Sequence, residues 1–321
     1  MNKKSKIISG LGIASTLAAA TDFFLCKTLF DQTLNRKKLK AARHLEDEEQ
    51  TITASQAHNK RKELMHTKKW LNETTTNKVN MDGRNNCKLI ANIYPSASDN
   101  SHKWAILVHG YNGRKEDMRT QARHFYEQGY HVLTPDLRGH GESEGNYICM
   151  GWTDRLDLVD WINSIIRIDE EAEIVLYGIS MGAAAVMMCA GEELPANVRC
   201  VIEDCGYTSV NDILSHHLIH FYKMPPFPIL DSAALLIKQR LGFSIKRASA
   251  VKQIEKSHLP MMFIHGDRDH FVPCDMVSPL YEACPNEKEL YIVDDSGHAM
   301  NMFTDPDTYY TKIFNFIRKN A

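Results

Sequence analysis

With 321 residues, 43% of them hydrophobic and 24% charged, the chain is long enough for one large domain plus an extension and has an ordinary globular composition. Its formal net charge of −2 supplies no basic field, which leaves nucleic-acid binding without electrostatic support. The eight cysteines form no C-x-x-C pair, and His217 and His220 stand without acidic or thiolate partners, so neither a disulfide framework nor a zinc site is expected.

Lys3, Lys4 and Lys6 precede an apolar stretch from Ile7 to Phe30 that only Asp22 and Lys27 interrupt with charge. Its length suits a bilayer core of about 30 Å, so residues 1–30 are expected to anchor the protein to a membrane. The alternatives are a signal cleaved near Ala18-Ala19-Ala20, giving a secreted protein, and an amphipathic surface helix. Basic residues follow the stretch too, among them Arg36, Lys37 and Lys38, so charge fixes no orientation. Residues 31–80 are polar and charge-rich, as in a solvated helical linker, and lead into a domain at 81–321.

From there, short apolar runs recur at 105–108, 132–133, 174–177, 201–202, 261–264 and 290–293. Runs this short, bounded by Gly, Pro or Asp, read as strands buried on both faces, the mark of a parallel sheet. Segments of helical spacing lie between them, as from Asp154 to Ile166. The fold class is therefore α/β: a mostly parallel central sheet flanked by helices. In such sheets the active site lies beyond the carboxyl ends of the strands, and here polar residues and glycines follow every strand.

G-x-S-x-G occurs twice, at Gly141–Gly145 and at Gly178–Gly182. Only the second leaves a buried strand and enters a helix-forming run at once, as a nucleophile elbow must. Ser180 is the expected nucleophile, and Ser143 a loop residue. A serine hydroxyl needs a base to take its proton, and His298, after the last strand, completes the chain order Ser…Asp…His. His109, His140 and His265 also follow strands but are assigned packing or loop hydrogen-bonding roles. The acid that orients the imidazole is expected to be Asp269, with Asp204 and Asp267 as alternatives. Backbone N–H groups of Tyr111 and Met181 are placed to form an oxyanion hole.

These segments resemble the α/β-hydrolase superfamily, in particular its serine aminopeptidase-like and cinnamoyl-esterase-like branch. The resemblance rests on His109-Gly110-Tyr111, Asp136 to Ser143, Gly178 to Gly182, Ile264 to Pro273 and Gly297-His298. The segment Glu203 to Ser209, with the apolar N-terminus, is also similar to a bacterial group of these hydrolases that carries a membrane segment. The resemblance implies the α/β-hydrolase fold, the triad roles and a small helical cap, here at about 212–254. Phe221 and Phe227, in the apolar, proline-rich part of that insertion, are the expected pocket residues. The expected activity is that of a carboxylesterase on a small or medium acyl ester. A serine peptidase or an acyl-thioester hydrolase is the alternative, and a binding module that has lost catalysis is disfavoured because no triad member is missing. No metal or organic cofactor is expected.

Overall fold

The computed structural model describes residues 23–38, 52–98 and 100–320. Eight strands form one sheet: β1 (Asn77–Gly83), β2 (Cys87–Tyr94), β3 (Lys103–Val108), β4 (His131–Pro135), β5 (Glu173–Ile179), β6 (Val198–Asp204), β7 (Met261–Gly266) and β8 (Lys288–Val293). Their order is β1-β2-β4-β3-β5-β6-β7-β8, with β1 and β2 antiparallel and β3 to β8 parallel. The six apolar runs of the sequence fall inside β3 to β8. The antiparallel pair at the edge carries a polar, half-exposed β1, and it starts four residues before the domain boundary expected at 81.

The sheet divides the core in two. On one face lie helices Asp154–Ile166 and Met181–Ala190 with Val108, Leu176 and Phe263. On the other lie Arg119–Glu127 and Pro306–Asn320 with Leu107, Tyr177 and Ile264. Alternate residues of one strand thus feed opposite layers, which is why β3 reads as an uninterrupted apolar run. Helix Met181–Ala190 is buried along its whole length, which its Ala- and Met-rich sequence permits on every side.

The two segments outside the expected domain are built into it. Ala54–Glu73, inside the expected linker, is a helix with a Thr53–Gln56 capping box, and Gln56, Glu63, Thr67 and Trp70 are buried against the body. Residues 23–34 are helical and bury Cys26, Phe30 and Leu34 in the core. The expected anchor is therefore corrected for its described part, whose apolar face is occupied by protein. Residues 1–22 of that expectation lie outside the described residues. Among the described residues, no helix is long and apolar enough to cross a membrane.

The cap consists of helices Val210–His220 and Ile229–Leu241, inserted after β6. They cover the carboxyl ends of the strands.

Candidate active site

Ser180 stands between β5 and helix Met181–Ala190 with φ 55° and ψ −117°, a strained backbone that aims the side chain out of the turn. Its side chain makes no capping bond to the helix, so capping is not its role. The flanking glycines are steric necessities. A Cβ on Gly178 would lie 2.3 Å from the carbonyl oxygen of Gly182, and one on Gly182 would lie 2.2 Å from that of Val108.

The residues singled out in the sequence converge here. The Ser180 hydroxyl donates to His298 Nε2 at 2.8 Å, and His298 Nδ1–H donates to Asp269 Oδ2 at 2.7 Å. The tautomer follows from chemistry, since the ionised carboxylate can only accept. All three are at least nine-tenths buried. Burial works to raise the carboxyl pKa of Asp269, but the charges and hydrogen bonds of His298 and His265 outweigh it and hold the group below the usual carboxylate range. Asp269 Oδ1 accepts the Val272 N–H at 2.9 Å, which pins the carboxylate from its own loop.

The alternative residues are engaged elsewhere. Asp204 accepts from the Tyr309 hydroxyl at 2.5 Å and the Asn301 amide at 2.6 Å. Asp267 accepts the Ser296 N–H at 3.3 Å from the loop after β8. Ser143 is fully buried, donates to the Asp136 carbonyl at 2.7 Å and accepts the Ile90 N–H at 2.8 Å. His109 Nε2 accepts the Leu137 N–H at 3.0 Å, and its ring meets His140 edge-on with centroids 5.0 Å apart. His265 Nε2–H donates to the Val272 carbonyl at 2.9 Å and lies 3.4 Å from Asp269 Oδ2. Sequence reasoning gave His265 a loop role and did not see that it also flanks the acid.

Tyr111 and Met181 line one cavity with Ser180. Met181 opens its helix, so its N–H has no intrahelical acceptor. Gly110, before Tyr111, comes so close that a Cβ there would lie 3.3 Å from Ser180 Cβ. This brings the β3 loop against Ser180.

The cavity holds about 960 Å³ of empty space, its open mouth included. Its walls are apolar, with Leu218, Ile229, Leu230 and Ile237 from the cap and Phe271 from the acid loop. Neither expected pocket residue is among them. Phe227 is 76% exposed, because it precedes the helix whose inward stripe of Ile229, Leu230, Ala233 and Ile237 fills the position instead. Phe221 packs behind the wall against His217 and Phe271, with centroids 5.2 and 5.8 Å away. His217 does line the cavity. It donates to the Phe271 carbonyl at 3.0 Å, and burial pulls its pKa down to about 4, so at neutral pH it is an uncharged wall residue.

Among the described residues, Cys205, Asp269 and His298 form the group whose spacing could hold a metal. Its chemistry does not suit one. Burial pushes the Cys205 thiol up and keeps it protonated, while Asp269 and His298 are already paired.

Comparison with known proteins bears on the fold and the broad class. Residues 99–221 match the family model described as serine aminopeptidase, S33. An uncharacterized protein of Bacillus subtilis, YqkD, is 27% identical over 225 residues, which are 70% of this chain and 74% of the relative. A thermostable monoacylglycerol lipase of a Bacillus species is 22% identical over 266 residues, 73% of this chain and 97% of that enzyme. Among solved structures, an esterase of Pyrococcus furiosus superposes with a TM-score of 0.63 at 22% identity, covering 77% of this chain and 93% of the esterase. The chain has the α/β-hydrolase fold, and the matches support a hydrolase of that superfamily.

Proposed function

We propose that the protein is a carboxylesterase that cleaves esters with an apolar acyl chain through Ser180, His298 and Asp269. In this reading His298 takes the hydroxyl proton as Ser180 Oγ attacks the acyl carbon. The tetrahedral oxyanion is held by the backbone N–H groups of Tyr111 and Met181, aided by the positive end of the helix that Met181 opens. His298 then returns the proton to the leaving alkoxide, and water, deprotonated by the same imidazole, releases the acyl-enzyme. Asp269 keeps Nδ1 protonated and stabilises the imidazolium.

The observation that carries the reading is an unbroken hydrogen-bonded chain from Ser180 to Asp269 at the base of an apolar cavity. The aminopeptidase alternative needs a carboxylate to hold the substrate amine, and among the described residues no Asp or Glu lines the cavity. The acyl pocket is instead what a hydrocarbon chain requires.

The test is hydrolysis of p-nitrophenyl esters from acetate to palmitate by the full chain and by Ser180→Ala. Wild type should hydrolyse part of the series, and the variant should lose about 10⁴-fold or more in kcat. Equal rates in both proteins would remove Ser180 from the mechanism. A wild type inactive on every ester but active on aminoacyl or thioester substrates would move the assignment to those classes.

A further inference from the structure

The cap does not enclose the cavity alone. Cys26, Leu29, Phe30, Thr33 and Leu34 recur at the spacing of one helical stripe, and all five line it. Cys26, Phe30 and Leu34 are 0%, 7% and 2% exposed, while Phe24, turned away from the stripe, is 74% exposed. The charged residues of the helix take the outer side, where Lys27, and Lys38 from the turn that follows, pair with Asp31 at 3.2 and 2.7 Å.

Residues 34–36, at the carboxyl end of the helix, latch it to the body. The Leu34 carbonyl accepts the Ile148 N–H at 2.8 Å, and the Arg36 N–H donates to the Asn146 carbonyl at 3.0 Å. The Arg36 guanidinium spans the Ser143 and Gly141 carbonyls at 2.5 Å each, and the Phe30 ring packs on Tyr147 with centroids 5.6 Å apart. One further bond reaches the reacting centre, where the Tyr111 hydroxyl donates to the Thr33 carbonyl.

We propose that the helix at 23–34 is a built-in specificity element: Leu29 and Phe30 set the length of acyl chain the cavity accepts, and the Thr33 carbonyl positions the Tyr111 loop. The proposal rests on the ester-hydrolase reading and deepens it. Latching by backbone bonds gives the wall a fixed place, so its side chains discriminate by size rather than closing as a flap. The helix reaches both the acyl cavity and the proposed oxyanion donor. Acyl selectivity and turnover are therefore coupled through residues that the apolar sequence alone would assign to a membrane.

The experiment measures kcat/KM over the same ester series for full-length wild type, Phe30→Ala, Phe30→Trp and, as a surface control, Phe24→Ser. Phe30→Ala should move the optimum to longer chains and Phe30→Trp to shorter ones. The octanoate-to-dodecanoate preference should change about tenfold or more, as expected for size discrimination in an apolar pocket. Phe24→Ser should follow the wild-type profile. Superimposable profiles for wild type and folded Phe30 variants would overturn the proposal while leaving the esterase reading intact. Thermal melts identify a variant that does not fold, and Leu29→Trp, expected to shorten the optimum, then replaces it. If wild type hydrolyses no ester, the esterase reading fails and the wall is judged by binding. Laurate should displace anilinonaphthalene sulfonate from Ser180→Ala about tenfold more weakly when Phe30→Trp is added. Unchanged displacement would overturn the wall as well.

Discussion

At Gly182 a single added carbon would meet two carbonyl oxygens, that of Val108 at 2.2 Å and that of His109 at 2.6 Å. Neither can move without disturbing β3 or the loop that carries Tyr111, so Gly182→Ala should yield little folded protein, or protein several kcal/mol less stable, as about 1–3 kcal/mol of overpacking is joined by strain in the turn. Thermal unfolding reads the loss, and a wild-type melting temperature would show that the elbow relaxes. The same motif at Gly141–Gly145 gives the complementary prediction. Ser143→Ala removes two buried hydrogen bonds, to Asp136 and from Ile90, and should cost about 1–3 kcal/mol. It should leave fluorophosphonate labelling of Ser180 intact, whereas lost labelling in a folded variant would contradict the structural role. The two serines were separable in the sequence because an elbow has a strand before it and a helix after it. The carboxylate that the structure sets against His298, Asp269, could be singled out only by its place in the chain order. That Asp204 is taken by Tyr309 and Asn301 is a fact of packing between distant segments. The pocket residues were not legible, since Phe227 and Ile229 are equally apolar in sequence and only the entry angle of the helix decides which faces inward.

The elements divide by how their buried faces are made. Strands β3 to β7 bury hydrocarbon on both sides, and their runs announced them, while β8 at the sheet edge carries a run of which only Val293 is fully buried. Helix Ala54–Glu73 turns mostly polar residues inward, so a reading of apolar periodicity sees a solvated helix. It docks by hydrogen bonds instead. The Gln56 amide donates to the Asp295 carbonyl at 3.0 Å and to Thr304 Oγ1 at 2.9 Å, while Glu63 takes the Arg123 guanidinium at 2.5 Å and His124 at 2.7 Å. Glu63→Ala would leave Arg123 buried with Glu127 as its remaining carboxylate. It should lower unfolding stability by about 3 kcal/mol, at the low end for breaking a buried pair because that second carboxylate persists. Urea unfolding at neutral pH measures it, and a change near zero would mean that the helix is dispensable to the fold. The N-terminal helix poses the opposite difficulty. Its apolar stripe was plain, but burial of hydrocarbon has no direction, and a bilayer and a protein cavity ask for the same residues. The burial of Cys26, Phe30 and Leu34 in the core and the latch at 34–36 tell them apart, and both depend on partners at 141–148 and in the cap that lie far away in the chain.

For the molecule as a whole, two buried carboxyls, Asp269 in the site and Glu203 on the neighbouring strand β6, act on stability with opposite signs. Asp269 is held below its ordinary value near 3.8 by His298 and His265. Its contribution is present above that ordinary pKa and is lost as pH falls through the folded one. Glu203, on β6, is driven by burial, with a smaller push from the Asp204 charge, from an ordinary value near 4.5 to about 8. Its Oε2 accepts the Gly206 N–H at 2.9 Å, and Oε1 has no hydrogen-bond partner among the described residues. Between pH 4.5 and 8 the folded protein therefore holds a proton that the unfolded chain has released. Over that window stability falls as pH rises, by up to about 1.4 kcal/mol per unit, and above it the loss is complete. Glu203→Gln keeps an acceptor for Gly206 and removes the ionisation. At pH 5 the variant should unfold in urea close to wild type, and at pH 8 it should be more stable by about 2–4 kcal/mol. Parallel stability curves across that range would mean that Glu203 ionises inside the fold at no penalty. A variant less stable at both pH values would mean that the second amide hydrogen finds no place beside His265, whose Nδ1 is also unpaired among the described residues.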